Sequence, residues 1–443
     1  MIANFKNLAE NSLRKKTLLI AEAGYEAIDI KRVVSGRCKV LSINNKNFLV
    51  IKSHNKEEKI NLNNFERIFI VGIGKGSALA SASLAKILGD KLTKIIALDI
   101  TKPKFLNPKF LIMNSEFLIG AHPLPSKQNI KATQKIIKLA KSLNKKDLLI
   151  TFICGGGSAL VCASKQELKT TTWATQKLTK AGANINELNT VRKHLSEFKG
   201  GGLAKIACPA TVFSLIVSDV CGNDLSTVAS GPTVYDKTAK KDAENILKKY
   251  GLNPKKIKLY ETPKEKRCFK KVKNILFVCN QDAIEGMINH AGKLGFSAKI
   301  QNLALQGEAK TAFLPMLKKV KNKEVLLAAG ETTVALQNKK SGKGGRNQEA
   351  VLGAIVEFSI SNYQFPRNLV IISFASDSRD NTETAGAIAD FSTIKKAEKL
   401  KLNPRKYLNE HDSFNFFKKT GDLIFAEQKS FNVADLMIVM KKD

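Results

Sequence analysis

Short apolar runs and helix-like stretches alternate along almost the whole chain. Runs at 67–73, 95–100, 148–153, 211–217, 274–279, 325–329 and 369–374 have the length of strands. Several end in glycine-rich turns, which predicts buried strands leading into tight connections. Between them, 77–88, 129–143, 242–250, 282–294, 309–320 and 347–357 read as helices. This alternation predicts an α/β fold with mainly parallel sheets. The polar stretch 235–241 and the lysine-rich loop 253–273 interrupt it and are the natural seams. They divide the chain into 1–235 and 236–443. No tandem repeat is present.

A chain of 443 residues is too long for one core, which also argues for two domains, and 43% hydrophobic residues suffice for both. The net charge is +34, from 73 Lys and Arg against 39 Asp and Glu. Such a field attracts polyanions. Yet the lysines are spread along the chain, aromatics are not interleaved with them, and no helix-turn-helix, zinc-knuckle or RNP signature occurs. A solvated lysine-rich surface with no nucleic-acid partner is the better account, and the same field steers a small anionic substrate. The 7 cysteines are odd in number and form no C-x-x-C pair, which predicts reduced thiols in a cytoplasmic protein. The N-terminus lacks a signal-peptide core and no apolar stretch reaches bilayer length, so no membrane partner is expected.

The run ending at Ile153 leads into Cys154-Gly155-Gly156-Gly157-Ser158. Without side chains, the backbone N–H groups of Gly155, Gly156 and Gly157 can approach a ligand, and the next helix presents its positive end. Such a turn holds an anion, most often a phosphate; a plain strand-to-helix turn is the competing account. The run ending at Ile73 leads into Gly74-Lys75-Gly76. Lys75 stands at a helix N-terminus, against the macrodipole, and a bound anion would justify it. The full dinucleotide fingerprint and a Walker A loop are both missing. His122, between Ala121 and Pro123, sits in a stiff loop where it can donate to phosphate or carboxylate.

A cationic stretch runs from Asn189 through Arg192, Lys193 and His194 to Lys199, beside Gly200-Gly201-Gly202. A guanidinium fork plus backbone N–H groups makes an anion clamp. A charged helix with a glycine C-cap is the alternative, and in a helix Ser196 and Lys199 would lie within reach of each other. Asp219 and Asp224 follow the strand ending at Val217, where α/β folds bind ligands. They are candidates to bind Mg2+ or accept a hydroxyl proton, with helix capping as the competitor for Asp224. Later, Glu331 follows a strand, and Gly344-Gly345 delivers Arg346 and Asn347 to a helix start. Arg346 opposes that helix dipole unless an anion or an ion pair with Glu331 compensates it. Glycine turns, cations and a few carboxylates suit phosphoryl transfer, which needs positioning and charge neutralisation. They suit hydride transfer poorly.

These segments, in this order and over nearly the full length, resemble the class II glycerate kinases, the glycerate 2-kinase or MOFRL family. The resemblance rests on the turn around Lys75, His122-Pro123, Gly155 through Leu160, Asn189 through Arg192 and on to Gly201, Ser218-Asp219-Val220, Ser230-Gly231-Pro232-Thr233, Gly330-Glu331-Thr332-Thr333 and Gly344 through Glu349. It implies two α/β domains: an N-terminal Rossmann-like one with a doubly wound, mainly parallel sheet, and a C-terminal one, with the active site in a cleft between them. It implies ATP-dependent phosphorylation of D-glycerate to 2-phosphoglycerate with Mg2+ or another divalent cation. The family's essential lysine and arginine map to Lys75 and Arg346. Asp219 is the candidate base or metal ligand. Gly74, His122, Gly155, Gly156, Gly157, Ser158, Asn189, Arg192, Lys199, Glu331, Asn347 and Asp377 are candidate substrate or nucleotide contacts. A homodimer is left open.

The chain also departs from the family pattern. Cys154 stands where the family has serine before the triple glycine, and Asn223 where it has an acid. The late loop reads Ser376-Asp377-Ser378-Arg379-Asp380-Asn381-Thr382, with both family glycines replaced, and 427–435 loses its glycine and threonine framework. Two other readings follow: a divergent relative that binds nucleotide or another anion without turnover, and a hydroxypyruvate reductase.

Overall fold

The computed structural model describes residues 1–54, 56–103, 115–336, 341–360 and 365–443. They form two units, one of Ile30–Asp219 with Asn223–Val278, the other of Met1–Asp29 with Val220–Gly222 and Cys279–Asp443. The chain therefore changes unit at 278/279, beyond the seam at 235/236, and its first residues belong with its C-terminal half. The reason is strand pairing: Val272–Val278 adds to the N-terminal sheet alongside Thr211–Val217, so the polar loops before it lie within one unit.

The first unit opens with an antiparallel meander of β1 (Cys38–Ile43), β2 (Lys46–Ser53) and β3 (Lys56–Asn61). Its main sheet contains β4 (Arg67–Ile73), β5 (Lys94–Asp99), β6 (Ser115–Ile119), β7 (Asp147–Ile153), β8 (Thr211–Val217) and β9 (Val272–Val278). Their order is β6-β5-β4-β7-β8-β9, and every neighbouring pair is parallel. Central β7 is buried along its whole length, as a parallel strand covered on both faces must be, while edge strand β6 is half-exposed. The direction of winding reverses between β4 and β7. Doubly wound sheets bind ligands at such a point, outside the carboxyl ends of the strands.

The second unit holds β10 (Ser297–Leu305), β11 (Glu324–Gly330), β12 (Leu369–Ala375), β13 (Gly386–Asp390), β14 (Leu423–Ile424) and β15 (Asp435–Lys441), in the order β10-β11-β15-β12-β13-β14. Only β10 and β11 pair in parallel; the other neighbours are antiparallel. The last strand thus threads between β11 and β12 against their direction. All three are buried nearly end to end, so their apolar runs carry no signal of direction. The helix expected at 309–320 is a 3-10 turn, Ala309–Thr311, followed by a short helix, Leu314–Leu317. Pro315 lacks the N–H that a continuous helix would use there. The N-terminal helix Ser12–Ala27 buries Arg14 between Asp390 (3.2 Å) and Asp422 (2.6 Å), which ties the start of the chain to this unit.

Candidate active site

The two adjacent strands at the winding reversal end in the two glycine turns, and those turns are built against each other. The Lys75 N–H donates to the Gly155 carbonyl at 2.9 Å, and the Cys154 N–H to the Ile73 carbonyl at 2.8 Å. Gly74 has φ +107°, and a Cβ there would stand 2.3 Å from the Cys154 carbonyl oxygen, so no other residue fits. Gly156, at φ +77°, precedes the short helix Gly157–Leu160. A Cβ on it would lie 3.3 Å from the His122 ring and 3.4 Å from Lys75 Cγ. The structure thus brings together Lys75, His122 and the triple glycine, three features far apart along the chain.

Asn129 fixes the His122 loop. Its amide donates to the carbonyls of Ala121 and Leu160 (both 3.0 Å), and its oxygen accepts from the N–H groups of Ala121 and Ser126 (both 2.9 Å). On the other side, Ser158 Oγ lies 2.8 Å from Ser230 Oγ. Ala229, Ser230 and Gly231 are all left-handed, at φ +50°, +60° and +59°. Two consecutive non-glycine residues in that region store strain, which marks a loop held for its geometry.

The second triple glycine braces that loop. The Gly200 N–H donates to the Ser230 carbonyl at 2.8 Å and the Gly201 N–H to Gly231 at 2.7 Å. Lys199 also differs from its expected ligand-facing role. The preceding helix, Ile185–His194, stops short of it, and its buried ammonium donates to Glu167 (2.9 Å) and the Val161 carbonyl (3.0 Å). Ser196 meets Lys199 only through the backbone, its hydroxyl accepting from the Lys199 N–H at 3.3 Å. Lys193 pairs with Asp236 at 3.2 Å.

Arg192 is different. It lies three residues after Asn189 on the same helix and lines a cavity of about 250 Å3 with His122, Gly156, Ser158, Thr171, Thr172 and Thr175. Its Nε lies 3.4 Å from Thr175 Oγ1. Among the described residues no carboxylate stands within ion-pair distance of it, and burial alone draws its pKa down. Thr171 Oγ1 is buried without a hydrogen-bond partner among the described residues.

Three acids surround the turns or follow β8. Asp99, at the end of β5, accepts from the N–H groups of Ala78 (3.0 Å) and Ile100 (2.7 Å). Burial pushes its carboxyl up to about 6 despite these bonds. An acid in this place on the second strand of a dinucleotide fold holds a ribose; here it caps the helix that follows Lys75. Asp99 was legible as a strand-end acid, the same signal that singled out Asp219. Asp219 is half-buried. Asp224 is exposed and accepts from the Ser226 N–H (2.9 Å) and the Ser226 and Thr227 hydroxyls (2.9 and 3.2 Å), which keeps its carboxyl below the ordinary value against some desolvation. Its oxygens are engaged by its own turn, which fits the helix- or turn-capping alternative for Asp224 better than a metal ligand. Burial, with Asp99 and Asp219 nearby, pushes the Cys154 thiol well up and keeps it protonated.

In the second unit the antiparallel entry of β15 builds a separate cluster. Its first residue, Asp435, stands opposite the last residues of β11 and β12, Gly330 and Ala375. Arg346 forks onto both oxygens of Asp435 and donates through Nη1 to Glu331. Although burial opposes its charge, these two carboxylates hold the guanidinium above its ordinary pKa. Burial pushes Asp435 up to about 7, against the pull of Arg346. Asp380, fully enclosed, accepts from the backbone and side-chain amides of Asn347 (3.0 and 3.1 Å) and Gln348 (2.9 and 3.0 Å). The positive end of the helix Arg346–Ile360 is therefore filled by a carboxylate of the chain itself. Asp377 is half-buried and accepts from the Arg379 N–H at 3.2 Å.

Residues 17–260 match a family described as a domain of unknown function, DUF4147, and residues 324–435 match the MOFRL family. The D-glycerate 2-kinase of Thermotoga maritima is 33% identical over 397 residues, spanning 85% of this chain and 91% of its own. The chain belongs to the glycerate kinase family. A crystal structure of the glycerate kinase from Thermotoga maritima superposes with a TM-score of 0.76 at 29% identity, covering 97% of this chain and 99% of that one. A putative hydroxypyruvate reductase of Agrobacterium vitis is 33% identical over 393 residues, 84% of this chain and 87% of its own.

The late loop at 376–382, where the resemblance implies glycines, adopts left-handed backbone at two positions. These are Ser378 and Asn381, at φ +68° and +53°. Ala434, within 427–435, is also left-handed, at φ +73°. Ser378 and Asn381 flank Asp380 in a backbone conformation that costs non-glycine residues some strain.

Proposed function

We propose that the protein transfers the γ-phosphoryl group of ATP to the C2 hydroxyl of D-glycerate, giving 2-phosphoglycerate and ADP, with Mg2+ or another divalent cation, in the cytoplasm. The observation that carries this reading is the pair of apposed glycine turns at the winding reversal, with Lys75 and His122 against Gly156. A triple-glycine turn beside a lysine suits a phosphate group. The hydroxyl oxygen attacks the γ-phosphorus, the bond to the bridging oxygen breaks, and the hydroxyl proton passes to a base, for which Asp219 is the candidate. Lys75 holds the transferring group and offsets its charge. A divalent cation bound through Asp219 would neutralise phosphate charge further. Arg346 is the second candidate cation; an anion reaching it would have to displace Glu331, the more exposed of its two partners.

Reduction of hydroxypyruvate is the second reading, favoured by the name of the Agrobacterium relative. Asp99 speaks against it, because the carboxylate placed to hold a nicotinamide ribose is spent on backbone N–H groups. Purified protein should release ADP with D-glycerate and ATP and leave NADH unoxidised with hydroxypyruvate. Turnover with NADH alone would end the kinase reading.

A further inference from the structure

The kinase reading leaves open which part of the parallel-sheet unit takes the phosphate donor and which the acceptor. The charge and polarity of the cavity beside the turns bear on this. Pockets for drug-sized molecules run from about 300 to 1,000 Å3. At about 250 Å3 this one has room for a three-carbon acid. Its fixed charge is one guanidinium with no carboxylate of the described chain against it, and a fork of that kind matches one carboxylate. Its remaining polar groups include hydroxyls: Thr171, buried without a partner among the described residues, Thr175 against Arg192 Nε, and Ser158. An unpaired cation and an unpaired hydroxyl in one small cavity are costly unless a ligand completes them.

We propose that this cavity is the acceptor subsite: Arg192 takes the carboxylate of a small hydroxy acid, and Thr171, with Ser158, takes its hydroxyl groups. Thr175 is a positioning residue that fixes the plane of the guanidinium. Gly156 and Ser158 line the cavity at the same turn that Lys75 packs against, so an acid held there presents its hydroxyl toward the phosphate-binding turns. The assignment rests on the kinase reading for the identity of the acid and not for its charge and size.

The test compares the parent with Arg192→Lys and Thr171→Val by steady-state kinetics, and by calorimetric titration with D-glycerate in the absence of nucleotide. Loss of the fork should raise KM for D-glycerate roughly 10- to 100-fold, and loss of the hydroxyl about 3- to 10-fold, with KM for ATP unchanged in both. The titration should show matching losses of affinity. A rise in KM for ATP with KM for glycerate unmoved would overturn the proposal and make the cavity part of the nucleotide site. Binding of D-glycerate to all three proteins with equal affinity would also overturn it. Should the parent bind D-glycerate, lose it on Arg192→Lys, and never turn it over, the subsite stands and the kinase reading falls. Thr171→Val keeps the shape of the side chain, so it decides the matter even where the arginine variant fails to fold.

Discussion

Asp99 carries the sharpest consequence at the scale of single residues. Its folded value of about 6 lies above the ~3.9 of an unfolded aspartate. The stability it contributes is therefore full below about pH 4 and lost as pH rises through 6. A rise of that size corresponds to about 3 kcal/mol. The stability difference between the parent and Asp99→Asn, measured by urea unfolding, should fall by that order between pH 4 and pH 7. A difference that stays flat across this range would mean that the carboxyl titrates normally. The composition of the turns, Lys75 and His122 were legible in the sequence because glycine and cation patterns are local. The commitment of Lys199 to Glu167 and of Arg346 to Asp435 was not, since both pairs are made by residues distant in the chain.

At the scale of elements, the loop around Asp380 holds left-handed backbone at non-glycine residues. Asn381 is exposed and left-handed, a conformation that asparagine tolerates and alanine resists. Asn381→Ala should destabilise the protein by about 1 kcal/mol and Asn381→Gly by less than about 0.5 kcal/mol, read from urea midpoints. Equal costs would show that the residue does not hold that conformation. Strands β4, β7 and β8 were legible to within a residue, because strands buried on both faces read as continuous apolar runs. The meander β1–β3 was not, because its half-exposed strands mix lysine, glutamate and asparagine with the apolar positions. β15 was missed with its direction, and with it the origin of the Asp435 cluster.

For the whole molecule, the net charge is +34. It favours the approach of anions such as ATP and glycerate. The division at 278/279 escaped the sequence because loop composition suggested a seam where strand pairing continues. The account as a whole depends on Lys75 acting on a transferring phosphoryl group from the turn after β4. The most direct test is the turnover number for D-glycerate and ATP of Lys75→Ala beside the parent, with circular dichroism to establish that both are folded. The account predicts a fall of roughly 100- to 1,000-fold, the scale on which a single charge-stabilising donor acts. A folded Lys75→Ala protein that phosphorylates D-glycerate at the parent's rate would contradict it.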